Sequence, residues 1–184
     1  MNTYIQSELF TISKLMDVFV ISDHHFYHEN IIRYCDRPFK SLREMNYVMT
    51  KKWNYVVSKN DTVLHLGDFG FGNKRIVSRV RRKLNGKIYM VKGNHDKHGI
   101  AWYDNVGITM IKKPFMIGNF LFSHAPKHDI DENIINICGH SHNNIPLLTE
   151  SGSNKFYNVS VDNMDYTPIR IKDLIYGKLS KCIG

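Results

Sequence analysis

Residues 62–96 read TVLHLGDFGFGNKRIVSRVRRKLNGKIYMVKGNHD. Thr62 to Leu66 is a short β-branched and aliphatic run, and Lys87 to Val91 (KIYMV) is another; both predict buried strands. Between them Asn73 is placed to cap a helix from about Lys74 to Leu84, with Ile76, Val77, Val80 and Leu84 facing inward. Asn85-Gly86 stops that helix. Strand, helix and strand in this order predict parallel pairing through a right-handed crossover. Each strand also runs into a polar cluster, Gly67-Asp68 after the first and Gly93-Asn94-His95-Asp96 after the second. In such sheets, ligands bind where loops leave the carboxyl ends of the strands.

The same rhythm extends both ways. Asp17 to Ser22 (DVFVIS) predicts a strand that ends in Asp23-His24-His25. Ser41 to Val57 predicts a helix, with Ser41 and Glu44 as a capping box and Leu42, Met45, Met49, Trp53 and Val56 on one face. Downstream, Phe115 to Phe122 predicts a hairpin turning at Gly118-Asn119 and ending in Ser123-His124. Ile134 to Cys138 predicts a strand ending in Gly139-His140-Ser141-His142, and Phe156 to Val161 a further strand. A last helix is expected over Ile171 to Leu179, after Pro168, whereas Met1 to Met16 shows no assignable element. Without repeats, linkers or low-complexity tracts, residues 1–184 are expected to form a single α/β domain.

Composition narrows the setting. At 184 residues and 42% hydrophobic content the chain can bury a core without staples. Cys35, Cys138 and Cys182 are far apart and lack zinc-finger spacing, which suits reduced thiols in the cytoplasm. The opening MNTYIQSELF has no apolar signal core, and no apolar run approaches the ~18 residues of a membrane span. A cytoplasmic protein with no membrane partner is expected. The net charge of +8 allows a polyanionic partner. The most basic stretch carries Lys74, Arg75, Arg79, Arg81, Arg82 and Lys83, with Arg75, Arg79 and Arg82 on one helical face. No aromatic residues interleave with them, so an ordinary solvated face is expected rather than a nucleic-acid track.

The polar clusters carry the chemistry. Five strand ends deliver only Asp, Asn and His, and residues two apart, such as Asp23 and His25, project to the same side of an extended chain. Glycines before Asp68, Asn94 and His140 allow tight turns. Any one cluster alone reads as a turn or a cap. All five on one sheet edge would gather ionisable groups where burying them unpaired is costly. A metal centre resolves that cost, and oxygen with imidazole ligands suits Mn, Fe, Zn or Ni.

The ordered pattern D-x-H, G-D, G-N-H-D, a lone H and G-H-x-H, from Val18 to Val161, resembles the calcineurin-like metallophosphoesterase superfamily. HFYHENIIRYCDRPF, LHLGDFGFG and NVSVD are similar to small single-domain bacterial and phage members. The resemblance implies a double β-sheet sandwich flanked by helices and two divalent metal ions, manganese first, with Fe, Zn, Ni or Mg as alternatives. One metal is expected on Asp23, His25, Asp68 and His142, and the other on Asp68, Asn94, His124 and His140. It further implies His95 as the catalytic histidine, with Asp96 fixing its ring. Implied too is hydrolysis of phosphodiester or phosphomonoester bonds in a nucleotide-like or small phosphorylated substrate. A nuclease on DNA or RNA is the alternative, and a non-catalytic metal-binding scaffold the third reading. His28 and Arg37, in the loop after the first motif, are candidate substrate contacts. His65 is expected in the core, His24 off the metals, and His98 and His128 on the surface.

Overall fold

The computed structural model of the protein describes residues 12–151 and 154–177. A short helix α1 (Ile12–Met16) leads into β1 (Phe19–Ile21). Helices α2 (Asn30–Tyr34) and α3 (Leu42–Val56) cross over to β2 (Thr62–His65), α4 (Lys74–Arg81) to β3 (Lys87–Val91), and α5 (Ile100–Asp104) to β4 (Ile108–Ile111). These four strands lie parallel in chain order; the 62–96 stretch predicts the β2/β3 pairing among them, whereas β4 has no counterpart in the sequence reading. The second sheet holds β5 (Phe115–Ile117), β6 (Phe120–Phe122), β7 (Ile135–Cys138), β8 (Leu148–Ser151) and β9 (Asn154–Asn158), in spatial order β5-β6-β7-β9-β8. The β5/β6 pair is the expected hairpin, and β6, β7 and β9 run parallel. β10 (Ile169–Arg170) returns antiparallel to β1 and passes into α6 (Ile171–Ile175).

Period-two alternation sorts the first sheet's side chains into two cores. Phe19, Ile21, Val63, Ile88 and Met110 face outward under Met45, Met49 and Trp53 of α3 and Val77 and Val80 of α4. Val20, Leu64, Tyr89, Val91 and Ile111 face inward onto Phe115, Phe120, Phe122, Ile137 and Tyr157 of the second sheet. The result is the double-sheet sandwich with helices against it. Ser41 caps α3 as expected, accepting from the Glu44 N–H at 3.2 Å, while the Glu44 carboxylate reaches one residue further back, to the Lys40 N–H at 2.7 Å.

Several boundaries differ from expectation. α4 ends at Arg81 rather than Leu84, because residues 82–84 tighten: the Lys83 N–H bonds Val80 O and the Leu84 N–H bonds Arg81 O. The expected strand over 156–161 sits earlier, at Asn154–Asn158, and Val161–Asn163 form a 3₁₀ turn. Of the uninterpreted N-terminal stretch, residues 12–16 are helical and place Leu15 in the inter-sheet core; residues 1–11 lie outside the described residues. So do Cys182 and the expected end of the last helix at Leu179. No helix among the described residues is long and apolar enough to cross a membrane.

The two sheets meet just beyond β1. The Ser22 N–H bonds Val159 O and the Val161 N–H bonds Ser22 O, each at 3.0 Å, so Ser22 and Ser160 form a parallel bridge. The Val159 N–H continues the pairing to Cys138 O at 2.8 Å. This seam brings the loops after β1, β2, β3, β6 and β7 together.

Candidate active site

Asp23 sits on the seam. Its Oδ2 accepts from Ser22 Oγ at 2.5 Å, Ser160 Oγ at 3.0 Å and the His140 N–H at 2.8 Å. That crowding points Oδ1 elsewhere, and Oδ1 is buried with no hydrogen-bond partner. A Cβ on Gly139 would overlap both Ser22 Oγ and Asp23 Oδ2, so only glycine fits there. Across the cluster, Asp68 Oδ1 accepts the His95 N–H at 2.8 Å. Asp68 Oδ2 lies 3.5 Å from His25 Nε2 and 3.4 Å from His124 Nε2, between the two rings. Asn94 Oδ1 in turn meets His124 Nε2 at 2.7 Å and His140 Nδ1 at 3.0 Å. Ligand-type atoms of Asp23, His25 and His142 lie within 4.8 Å of one another, and so do those of Asp23, Asp68 and His124. All seven expected ligand residues therefore converge.

The backbone is bent to achieve this. Asp23, His25, Asp68, His140 and His142 all have φ between 48° and 70°, the left-handed region that side-chain-bearing residues avoid. Each such residue costs on the order of 1–3 kcal/mol unless its surroundings impose it, and such strain gathers at functional sites.

Electrostatics favour a bound cation. Burial pushes the imidazolium of His124 down, but hydrogen bonding and charge from Asp68, with Asp23, raise it to about 9. Burial also opposes a charge on His142, and the hydrogen bond to Asp162 with nearby Asp23 lifts it to about 10. Asp68 is pushed up by burial and pulled down further by His124 and His25, to about 2. The carboxylates thus carry negative potential that these imidazoles answer only by holding protons. His25, by contrast, is driven to about 2 by burial, and neither of its ring nitrogens has a hydrogen-bond partner. Leaving such buried atoms unsatisfied costs about 1–3 kcal/mol each. Divalent cations fit this set: the orphaned Asp23 Oδ1 and His25 ring join Asp68 Oδ2, which already faces two imidazole nitrogens.

Two expectations about neighbouring residues need correction. Asp96 does not orient the His95 ring. Its Oδ2 accepts the Asp68 and Gly93 N–H groups, each at 2.8 Å, and its Oδ1 accepts the Phe69 N–H at 3.3 Å and Tyr103 Oη–H at 3.0 Å. With its acceptor capacity taken up, Asp96 locks the loop carrying Asp68 to the loop carrying Asn94. Burial raises its own carboxyl. Arg37 is not free to touch substrate, being only 4% exposed. Nε donates to Asp162 Oδ1 at 2.8 Å, and Nη2 donates to Asp23 O at 2.8 Å and Asp162 Oδ2 at 3.1 Å. Nη1 donates to His24 O at 2.9 Å and Met45 Sδ at 3.6 Å, which uses the last of the guanidinium's N–H groups. Sequence spacing placed Arg37 in the right loop, but its length lets it fold inward beneath the site. His24, expected off the metals, pairs with His65. His65 Nδ1 accepts the Gly67 N–H at 3.2 Å, so its Nε2–H donates to His24 Nδ1 at 2.9 Å. This buried pair braces the turn before Asp68. His28 does stand at the site, its ring 5.5 Å from that of His25 and stacked on Phe71 at 4.2 Å.

Comparison with known proteins now bears on the cluster. A family model, the calcineurin-like phosphoesterase superfamily domain, matches residues 16–159. The chain belongs to that superfamily. It is 34% identical over 174 residues to the uncharacterized protein MJ1445 of Methanocaldococcus jannaschii, covering 89% of this chain and 92% of the relative. A crystal structure of AQ665, a protein of unknown function from Aquifex aeolicus, shares 28% identity and a TM-score of 0.66, covering 86% of this chain and 97% of that one. Pseudomonas putida nuclease MPE aligns at 18% identity and a TM-score of 0.48, over 69% of this chain and 62% of that chain.

Calcineurin-like phosphoesterases use divalent metal ions to act on phosphate esters, and this member adds residues its motifs do not announce. Asp162 holds His142 Nδ1 at 2.7 Å and is itself gripped by Arg37. Such a carboxylate fixes the tautomer of a ligating histidine and strengthens it as a ligand. Its only sequence signal was its place in NVSVD. Phe71 forms a wall against the rings of His25, His28 and His95, at 5.6, 4.2 and 5.5 Å.

Proposed function

We propose that the chain is a dinuclear metal-dependent phosphoesterase that hydrolyses phosphodiester or phosphomonoester bonds of nucleotide-like or small phosphorylated substrates. The carrying observation is the placement of Asp68 Oδ2, 3.5 Å from His25 Nε2 and 3.4 Å from His124 Nε2, where one carboxylate joins two ligand sets. Asp23, His25, Asp68 and His142 would hold one cation; Asp68, Asn94, His124 and His140 would hold the other. Bound there, divalent cations, manganese first among them, supply an activated water and neutralise charge developing on the phosphate. The protein's own groups do the rest. The His95 ring stands edge-on 5.3 Å from the His25 ring, positioned to deliver a proton to the departing oxygen, while its backbone N–H ties it to Asp68. Phe71 and the stacked His28 ring line that side.

The test is a metal-stripped preparation assayed on bis(p-nitrophenyl) phosphate and p-nitrophenyl phosphate with Mn, Ni, Zn or Mg restored. Turnover should appear only with metal. His95→Ala should lower kcat by about 10²–10⁴-fold with metal content unchanged, the usual size of a general-acid contribution. Wild-type turnover in His95→Ala, or none from the wild type with any metal, would overturn the reading. Asp162→Ala tests the support beneath His142: metal affinity by isothermal titration should weaken by about 10–100-fold. An unchanged affinity would mean that Asp162 serves the fold alone.

A further inference from the structure

The helices α3 and α4 pack on the same face of the first sheet, and a cleft of about 870 Å³ opens between them. Its walls carry Arg43, Lys51, Arg79 and Lys83 and no carboxylate. Among the described residues, none of the recorded ion pairs involves Arg43, Arg79 or Lys83. Cations held together without counter-charge repel one another, which an incoming polyanion relieves. The sequence offered no aromatic partner for the α4 cations, but the fold brings two from elsewhere. Tyr47 stands on α3 across the cleft, 61% exposed, with Lys51 Nζ 5.7 Å from its ring centre, and Tyr27 lines the end nearest the active site. Tyr27 follows the ligand-type His25 by two residues, and its N–H is fixed to Asn46 Oδ1 of α3 at 3.2 Å. The face that matters is also not the one sequence spacing suggested. Arg79 and Lys83, four apart, line the cleft, whereas Arg75 and Arg82 do not.

Cations set around one exposed ring, Tyr47, and one half-buried ring, Tyr27, fit the uptake of single strands, where phosphates meet charge and bases stack. We propose that this cleft binds a single-stranded oligonucleotide, which makes nucleic-acid strands one of the nucleotide-like substrates of the proposed phosphoesterase. The proposal rests on the phosphoesterase reading for its cleavage step, but strand binding is measured without it.

The decisive measurement is fluorescence anisotropy of a labelled twelve-nucleotide oligothymidylate with the full chain in EDTA, across a salt series. Four phosphate contacts predict a slope of log affinity against log salt of about −3. The Arg79→Ala/Lys83→Ala double variant should flatten the slope by about 1.4, two contacts' share. Tyr47→Ala should weaken binding by roughly five- to tenfold or more through lost stacking. A Lys112→Ala/Lys113→Ala variant removes the same charge from an exposed stretch away from the cleft and controls for net charge. Circular dichroism confirms that each variant folds. If both double variants lose affinity equally, or duplex DNA binds as tightly as the single strand, the cleft is not a strand-binding site. If the cleft variants alone lose affinity but the oligonucleotide resists cleavage while bis(p-nitrophenyl) phosphate is hydrolysed, strands are not a substrate and that part of the proposal is overturned. If neither is hydrolysed with any metal, the phosphoesterase reading fails instead.

Discussion

Asp68→Ala is expected to leave a folded protein that has lost hydrolysis of bis(p-nitrophenyl) phosphate by about 10³-fold or more, since loss of an outer-shell partner alone costs about 10–100-fold. Asp68 is the carboxylate that faces both His25 and His124, so removing it would dismantle both proposed ligand sets together. Metal content, measured by elemental analysis after dialysis, should drop from two ions to at most one. The turn should survive, because the Asp68 N–H is held by Asp96 at 2.8 Å whatever side chain follows. Asp68→Asn sharpens the test: it keeps the oxygen that accepts the His95 N–H but removes the charge. Full activity in Asp68→Asn would show that no cation depends on that charge, and the two-metal reading would be wrong.

The second large effect concerns stability. Arg37→Met should destabilise the protein by about 3–5 kcal/mol, because it takes two N–H donors and the guanidinium charge from the buried Asp162 carboxylate and leaves it only the His142 ring. Both side chains are almost wholly buried, at 0% and 3% exposure, so solvent cannot take over the lost partner. The Asp23 and His24 carbonyls would lose their donors at the same time. Urea unfolding reads the change directly, and the melting temperature should fall by about 10 °C. Arg37→Met/Asp162→Asn should recover part of the loss, since removing both charges is far less costly than removing one. A single variant within ~1 kcal/mol of wild type would mean that the guanidinium contributes little.

The motifs were legible because they are local. Asp23/His25, Gly67-Asp68, Gly93-Asn94, His124 and Gly139-His140-Ser141-His142 each end a strand. Parallel topology sends the ends of β1 to β3 to one edge of the first sheet and those of β6 and β7 to one edge of the second. The expected single sheet edge is in fact two edges joined at the Ser22/Ser160 seam. What sequence reading missed is long in range or depends on the course of the backbone. Arg37 and Asp162 are 125 positions apart, and nothing near either residue hints at the other. Asp96 follows His95 directly, which suggested a local pair, but the turn sends its carboxylate back to the Gly93 and Asp68 N–H groups. The strand β4 and helix α5 fall in the mixed text between Gly99 and Ile111, where neither period is clean. The tyrosines of the α3/α4 cleft come from a different helix and loop than its arginine and lysine on α4, so no window along the chain contains the whole surface.

The seam at Ser22 and Ser160 joins chain segments that only the finished fold brings together: Asp23 bonds Ser160 across 137 positions and His140 across 117. A cation held as proposed, by ligands from both sheets, would therefore be a fastener as well as a reagent. Binding the docked state and not the separated one, it would deepen the docking by about 1.4 kcal/mol for each tenfold rise in free metal above Kd at one site. By that linkage, metal supply would set how firmly the two halves of the molecule are closed on each other, and chelation would loosen the sandwich itself along with the chemistry.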